Sequence, residues 1–341
     1  MVVSPVVVFA YDRPDHLNRT LSALAGNDLA CETELFVYCD GAREWGGEEA
    51  SRPKSNDGET YITKRYGMMY CSKEEYESYL VRIESTRQVA HRQKGFKNLH
   101  VIEREKNIGL ADNIVGAVTE IVNKFGRVIA FEDDVVSTRG CLTYLNDALE
   151  MYQNDEKVMH ISAYLFPHRQ HLPTTFFHPN PYPAGGWATW ARAWKHYCGN
   201  TKELVDFWSN DWDTFNVIGQ DHLQKQLIMN LDGRLKTWYI KWYASMRRQG
   251  GVCLYPGWSM TNNIGFDNSG ETSGISNSYF IENPQEYTKV NRISIHCNKK
   301  AFRMLKVRAS GHWYSKRYRR EWEKQLLKIM NKLKEKCFCK R

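Results

Sequence analysis

The chain has 341 residues, 42% of them hydrophobic, with charged residues spread along its length, enough to bury a full core and therefore outside the disordered class. Its net charge of +8 conceals an uneven distribution: residues 299–341 hold sixteen Lys/Arg against three acids, net +13, which leaves residues 1–298 at −5. No apolar run reaches membrane-spanning length, the apolar start lacks the basic region of a signal peptide, and nine cysteines without a CxxC pair fit neither a disulfide framework nor a zinc site, so a cytoplasmic location is expected.

Val2 to Ala10 is a nearly unbroken β-branched run that reads as a strand buried on both faces. Tyr11-Asp12-Arg13-Pro14 closes it, with Asp12 placed to cap a helix carrying Leu17, Leu21 and Leu24 on one face. A second apolar strand, Leu35 to Cys39, ends in Asp40-Gly41. Residues 42–73 are polar and read as an inserted surface loop, followed by a helix over about 73–94. The alternation then resumes: a strand from Leu99 to Glu103, a helix from Asp112 to Phe125 and a buried strand from Val128 to Phe131. Strand and helix alternating in this order predict an α/β fold built on a mostly parallel, Rossmann-like sheet, with ligands beyond the carboxyl ends of the strands.

After Val158 to Ala163 the chain becomes dense in aromatic residues, Pro and Gly. Residues 1–154 read as a nucleotide-binding half, and 155–298 as an acceptor-binding half of the same domain, because no linker separates them. From Tyr314 onward, Tyr318, Trp322, Leu326, Ile329, Met330, Leu333 and Cys337 recur at helical spacing among lysines and arginines, so 299–341 reads as a basic amphipathic tail. Two partners suit that pattern: an anionic membrane surface, or the body of the protein against which the helix docks. Nucleic acid is disfavoured by the acidic body.

The strongest chemical signal is Glu132-Asp133-Asp134 at the end of a buried strand. Three adjacent carboxylates beside a low-dielectric core repel one another unless a cation offsets them. Mg²⁺ or Mn²⁺ fits: such ions take few protein carboxylates and complete their shell with diphosphate oxygens and water. An isolated acid triplet is more often a solvated turn, but the strand before it argues the other way. Two further stretches stand out. One is Gly185-Gly186-Trp187-Ala188-Thr189-Trp190, whose tryptophans, with Trp194, fall at helical spacing. That spacing fits a core stripe, whereas the glycines allow close backbone approach and a tryptophan face suits a sugar. The other is Asn262-Asn263-Ile264-Gly265-Phe266-Asp267-Asn268-Ser269-Gly270, whose composition alone would satisfy a turn.

An apolar strand with Asp12-Arg13, then Asn107-Ile108-Gly109-Leu110-Ala111 before a helix, then Phe131-Glu132-Asp133-Asp134, resembles the GT-A glycosyltransferases over roughly residues 1–275. It looks closest to N-acetylglucosaminyltransferase I and the bacterial sugar transferases related to it. The resemblance implies a hexosyl- or N-acetylhexosaminyltransferase that takes a nucleotide-sugar donor, UDP-linked by expectation, to a saccharide or lipid-linked saccharide acceptor in surface polysaccharide or glycoconjugate synthesis. It implies Asp134 as the direct metal ligand, with Glu132 beside it. It also implies Arg13, Asp40, Asn107, Gly109, Asp133, Gly186 and Trp187 around the nucleotide-sugar. An Arg suits phosphate because its planar fork donates two hydrogen bonds at once.

The likeness does not supply a general base. Where N-acetylglucosaminyltransferase I has an Asp just before a Trp, this chain reads Thr237-Trp238-Tyr239-Ile240-Lys241-Trp242, with no acid. Asp221, Asp232, Asp267 and Glu271 are the alternatives. Two other functions compete with transfer. A sugar-nucleotide nucleotidyltransferase would carry a Gly-rich phosphate loop after its first strand, which Tyr11-Asp12-Arg13-Pro14 is not. A non-catalytic carbohydrate-binding protein would leave three clustered acids unexplained.

Overall fold

The computed structural model describes residues 2–45, 72–182, 185–216, 221–267, 269 and 279–312. Among the described residues ten strands are present: β1 (Val6–Ala10), β2 (Glu34–Cys39), β3 (Asn98–Glu103), β4 (Arg127–Glu132), β5 (Val135–Ser137), β6 (Val158–Ser162), β7 (Thr175–His178), β8 (Trp187–Trp190), β9 (Val252–Pro256) and β10 (Thr261–Asn263). Between and after them lie helices α1 (Pro14–Ala25), α2 (Lys73–His91), α3 (Leu110–Phe125), α4 (Cys141–Met151), α5 (Ala191–Trp194), α6 (Thr201–Trp208), α7 (Trp212–Phe215), α8 (Asp221–Leu231), α9 (Tyr239–Arg248) and α10 (Lys299–His312).

Eight strands form one sheet in the order β3-β2-β1-β4-β8-β6-β9-β7. Neighbours β3, β2, β1 and β4 are parallel, and β8 and β7 run against the rest. The fold is therefore mixed α/β, a large central sheet flanked by helices. β1 and β4 are buried along their centres because β-branched and aromatic side chains such as Val7, Val8, Ile129 and Phe131 fill both faces, as a strand covered by helices on each side requires. The strands of 1–154 and of 155–298 meet at the β4–β8 pairing, so the sheet is continuous across them.

Helix starts and stops follow local chemistry. The Ser72 hydroxyl accepts from the backbone of Glu75 at α2, and the Asn200 side chain accepts from Lys202 and Glu203 at α6, both satisfying N–H groups that the first turn leaves open. Gly126 stops α3 in the left-handed region at φ 78°. The expected Asp12 cap of α1 does not form. Pro14 begins that helix without a side-chain cap, and Asp12 instead accepts from Arg82 Nη2 at 3.2 Å.

A smaller core of Leu204, Trp208, Phe215, Leu227, Ile240 and Tyr243 joins α6 to α9 beside the sheet. Ala301 and Leu305 of α10 are buried with Leu165 and Phe176, so the first turns of this helix dock on the body. The rest of the basic tail, from residue 313, lies outside the described residues.

Candidate active site

After β1 the chain proceeds to β2 and β3 on one side, then returns to β4 on the other. The sheet order thus reverses between β1 and β4. A crevice opens at the carboxyl ends of strands that part in this way. Asp12-Arg13 follows β1 and Glu132-Asp133-Asp134 ends β4, so both motifs meet at that crevice.

There the Arg13 guanidinium bridges two carboxylates: Nη2 donates to Asp133 Oδ1 and, at 2.9 Å, to Asp134 Oδ2. All three side chains are largely buried. Asp133 is held by its backbone as well, because Thr20 Oγ1 donates to its carbonyl at 2.7 Å. The short β5–β10 ladder, which pairs Val135 with Asn263, closes the other side. It brings Asn263 Nδ2 within 3.2 Å of Asp134 Oδ1 and lets the Ile264 N–H donate to the Asp134 carbonyl at 2.8 Å. Gly265 packs so tightly here that a Cβ would collide with Asp134 Oδ2 and stand 2.9 Å from Arg13 Nη1.

Glu132 is half-buried beside this cluster. Burial, followed by the charges of Asp134 and Asp133, pushes its carboxyl well above the usual range, and Arg13 offsets this only in part. Asp133 is also held high, chiefly by burial, with Arg13 pulling the other way. Three carboxylates against one guanidinium leave a deficit of positive charge. His16, one turn into α1 from Arg13, stands on the same rim with Nε2 3.1 Å from Asp267 Oδ2, though not aligned as a hydrogen bond.

Asp40 is engaged by the protein's own backbone and side chains. Its Oδ1 accepts from the N–H groups of Gly41 (2.9 Å) and Ile108 (3.0 Å), and its Oδ2 from Asn107 Nδ2 (3.1 Å) and the Gly109 N–H (2.9 Å). Four donors saturate the carboxylate, which pins the Asn107–Gly109 turn to the end of β2. Gly109 enters α3 at φ 81°.

Gly186 and Trp187, expected beside the donor, pack within the protein in this structure. Gly186, at φ 81°, lies against the Phe131 ring, where a Cβ would approach within 2.5 Å, and Gly185 lies closer still to Tyr164, where a Cβ would approach within 2.1 Å. The glycines therefore admit close packing of these two rings. Trp187 is 2% exposed and stacks on His160 at 5.2 Å and on Trp238 at 5.0 Å. It belongs to the core because β8 lies inside the sheet between β4 and β6. The helical spacing of its tryptophans was misleading: Trp187 to Trp190 is a strand, and only Ala191 to Trp194 is helical.

Among the base candidates, Asp232 pairs with Arg234, whose Nε donates at 2.8 Å and whose backbone N–H donates at 3.2 Å, and closes the turn after α8. Asp221 opens α8, but its side chain lies outside the described residues, as does Glu271. Asp267 is at the crevice. Burial opposes its ionisation, but the Ser269 hydroxyl (2.6 Å) and N–H (2.9 Å) donate to Oδ1 and hold it below the usual range.

The sequence reading missed His16 as a site residue, and it saw Asn263 and Gly265 only as parts of a polar turn. His16 had one local signal, its spacing of three from Arg13 at the start of a helix, which places both side chains at that helix's first turn.

No family model and no curated protein matches the sequence. Solved structures similar to it include a galactosyltransferase, LgtC, in complex with donor and acceptor sugar analogues, at 12% identity over 73% of this chain and 72% of that one, with a TM-score of 0.35. They also include TarS of S. aureus, at 14% identity over 50% of this chain, with a TM-score of 0.26, and its residues 1–349, at 14% identity over 61% of this chain, with a TM-score of 0.27. The chain spans 23% of the first TarS chain and 49% of the second. Neither protein is N-acetylglucosaminyltransferase I.

Proposed function

We propose that the chain is a GT-A type glycosyltransferase that moves a sugar, hexosyl or N-acetylhexosaminyl, from a nucleotide diphosphate-sugar to a saccharide hydroxyl. The observation that carries this reading is the acid cluster at the β1–β4 crevice, bridged by Arg13 and short of positive charge. A site that collects an Arg fork and excess carboxylates beyond a parallel sheet suits a diphosphate together with a divalent cation.

Asp134 and Glu132 would hold Mg²⁺ or Mn²⁺. An ion held by so few protein carboxylates would draw most of its shell from diphosphate and water. When bound, the ion would neutralise the leaving diphosphate. Arg13 donates to diphosphate oxygens once they compete for its fork, and Asn107 and Gly109, held by Asp40, edge the same end of the sheet. Transfer forms a bond between the acceptor oxygen and the anomeric carbon and breaks the bond from that carbon to the diphosphate. The hydroxyl proton passes to a carboxylate, for which Asp267 is the described candidate at the crevice and Asp221, Asp232 and Glu271 are the others.

The test is donor hydrolysis across UDP-, GDP-, CMP- and dTDP-sugars, with Mn²⁺ or Mg²⁺ and after EDTA. The expected result is slow release of one nucleoside diphosphate, UDP first, that EDTA stops and the metal restores. Absence of release from every donor removes the reading. Binding of free saccharide without any nucleotide dependence favours a carbohydrate-binding protein instead.

A further inference from the structure

Beside the acid cluster lies a group of rings that the donor chemistry does not use. Tyr164 stacks on Tyr182 at 5.0 Å, Phe166 meets Tyr182 edge-on at 4.7 Å, and Phe266 stacks on Tyr279 at 4.2 Å with its plane within 7°. Phe166 joins the two stacks, 5.8 Å from Tyr279. The rings come from four separate chain segments, and hydrogen bonds fix their backbones. Tyr164 OH donates to the Tyr279 carbonyl at 2.8 Å. Asn262 both donates to the Ile281 carbonyl and accepts from the Ile281 N–H, which holds the Tyr279 segment against β10.

This group abuts the reaction centre through Phe266, which follows Gly265, the residue that packs on Asp134. Phe166, Tyr182, Phe266 and Tyr279 are each half-buried, and Phe280 beside them is 51% exposed. A folded core would cover such rings, whereas a surface that takes no ligand seldom gathers them. Half-open rings beside carboxylates suit a ligand with apolar C–H faces and a polar hydroxyl edge. A pyranose has both.

We propose that Phe166, Tyr182, Phe266 and Tyr279 form the shelf on which a pyranose ring of the acceptor lies, its hydroxyl edge turned towards Glu132 and Asp134. The acceptor class is then a pyranose-containing saccharide, whatever it is attached to. This rests on the transferase reading, yet the two are tested apart, since nucleotide-sugar hydrolysis needs no shelf and saccharide binding needs no donor.

The experiment is saturation-transfer NMR with methyl β-D-glucopyranoside, methyl β-D-galactopyranoside and methyl N-acetyl-β-D-glucosaminide. It is run on the full chain, on Phe166→Leu and Tyr279→Leu, and on Phe207→Leu as a control. Leucine keeps apolar bulk and removes the ring face, and circular dichroism verifies that each variant is folded. Phe207 is an exposed ring on α6, outside the group. At least one glycoside is expected to show transfer concentrated on its ring C–H protons, reduced about fivefold or more in both shelf variants and retained in Phe207→Leu. No transfer from any of the three to the wild type, or equal transfer to wild type and both folded shelf variants, overturns the shelf. Hydrolysis of a nucleotide-sugar by the same wild-type sample then decides separately whether the transferase reading survives.

Discussion

At the scale of single residues, the site depends on how few atoms separate Arg13, Asp134 and Gly265. Asp134→Asn keeps the volume and the Asn263 contact but removes the charge that answers Arg13 and the proposed metal. Turnover is expected to fall by more than roughly 100-fold, as for loss of a principal electrostatic stabiliser, with the thermal midpoint little changed. Donor hydrolysis at matched Mn²⁺ checks this, and activity within a few-fold of wild type would discard the metal assignment. Gly265→Ala tests the same contact from outside. Its Cβ meets Asp134 Oδ2, so the carboxylate must move away from Arg13, and a displacement of that size costs roughly 10- to 100-fold in rate. The measurement is kcat at saturating donor. An unchanged kcat would mean that the Arg13–Asp134 bridge does not matter to the chemistry.

At the scale of elements, β8 and its neighbours form an aromatic layer that depends on a neutral histidine. His160, fully buried, accepts from Trp242 Nε1 at 3.2 Å and lies flat against Trp187. Burial lowers its pKa to about 3 and that of His178 to about 4. Both values are depressed in the folded state, so the unfolded chain binds more protons once the pH drops below the ordinary value near 6.5. The stability they contribute is present above that value and is lost as the pH falls towards 4 and 3. Thermal midpoints between pH 7 and 4 should therefore decline, with a shallower slope in His160→Gln. An identical slope in that variant would assign the acid sensitivity elsewhere.

The elements that could be read from sequence are those whose residues decide alone. β1 and β4 are apolar β-branched runs, and α3 shows Ile114, Val118, Ile121 and Val122 on one buried face; period and composition suffice for each. β8 could not be read this way, because Trp187, Trp190 and Trp194 keep a helical spacing across a strand that turns into helix at Ala191. The acid triplet at its strand end was legible for the same reason as β4. The saturation of Asp40 was not, since its donors at 107–109 arrive only after folding. Nor was the approach of His16 to Asp267, which joins the first helix to a loop after the tenth strand.

At the scale of the molecule, charge is divided between an acidic body and a basic tail. Among the described residues no helix is long and apolar enough to cross a membrane. We propose that the tail instead holds the protein at an anionic surface, such as the inner face of a membrane, where each Lys or Arg contributes about 1 kcal/mol. Full-length chain is expected to co-sediment with anionic vesicles at low salt and to be released at high salt, whereas a chain ending at Lys306, which keeps the docked Ala301 and Leu305, stays in solution. Equal binding by both would rule the anchor out.

The β5–β10 ladder has a consequence for the order in which the site is made at the ribosome. Glu132, Asp133 and Asp134 emerge with Arg13 already available, but Asn263 and Gly265 follow well over a hundred residues later, and at elongation rates of about 5–20 residues per second that is a delay of many seconds. The β5–β10 ladder that walls one side of the acid cluster therefore cannot pair until the segment from Thr261 has been made.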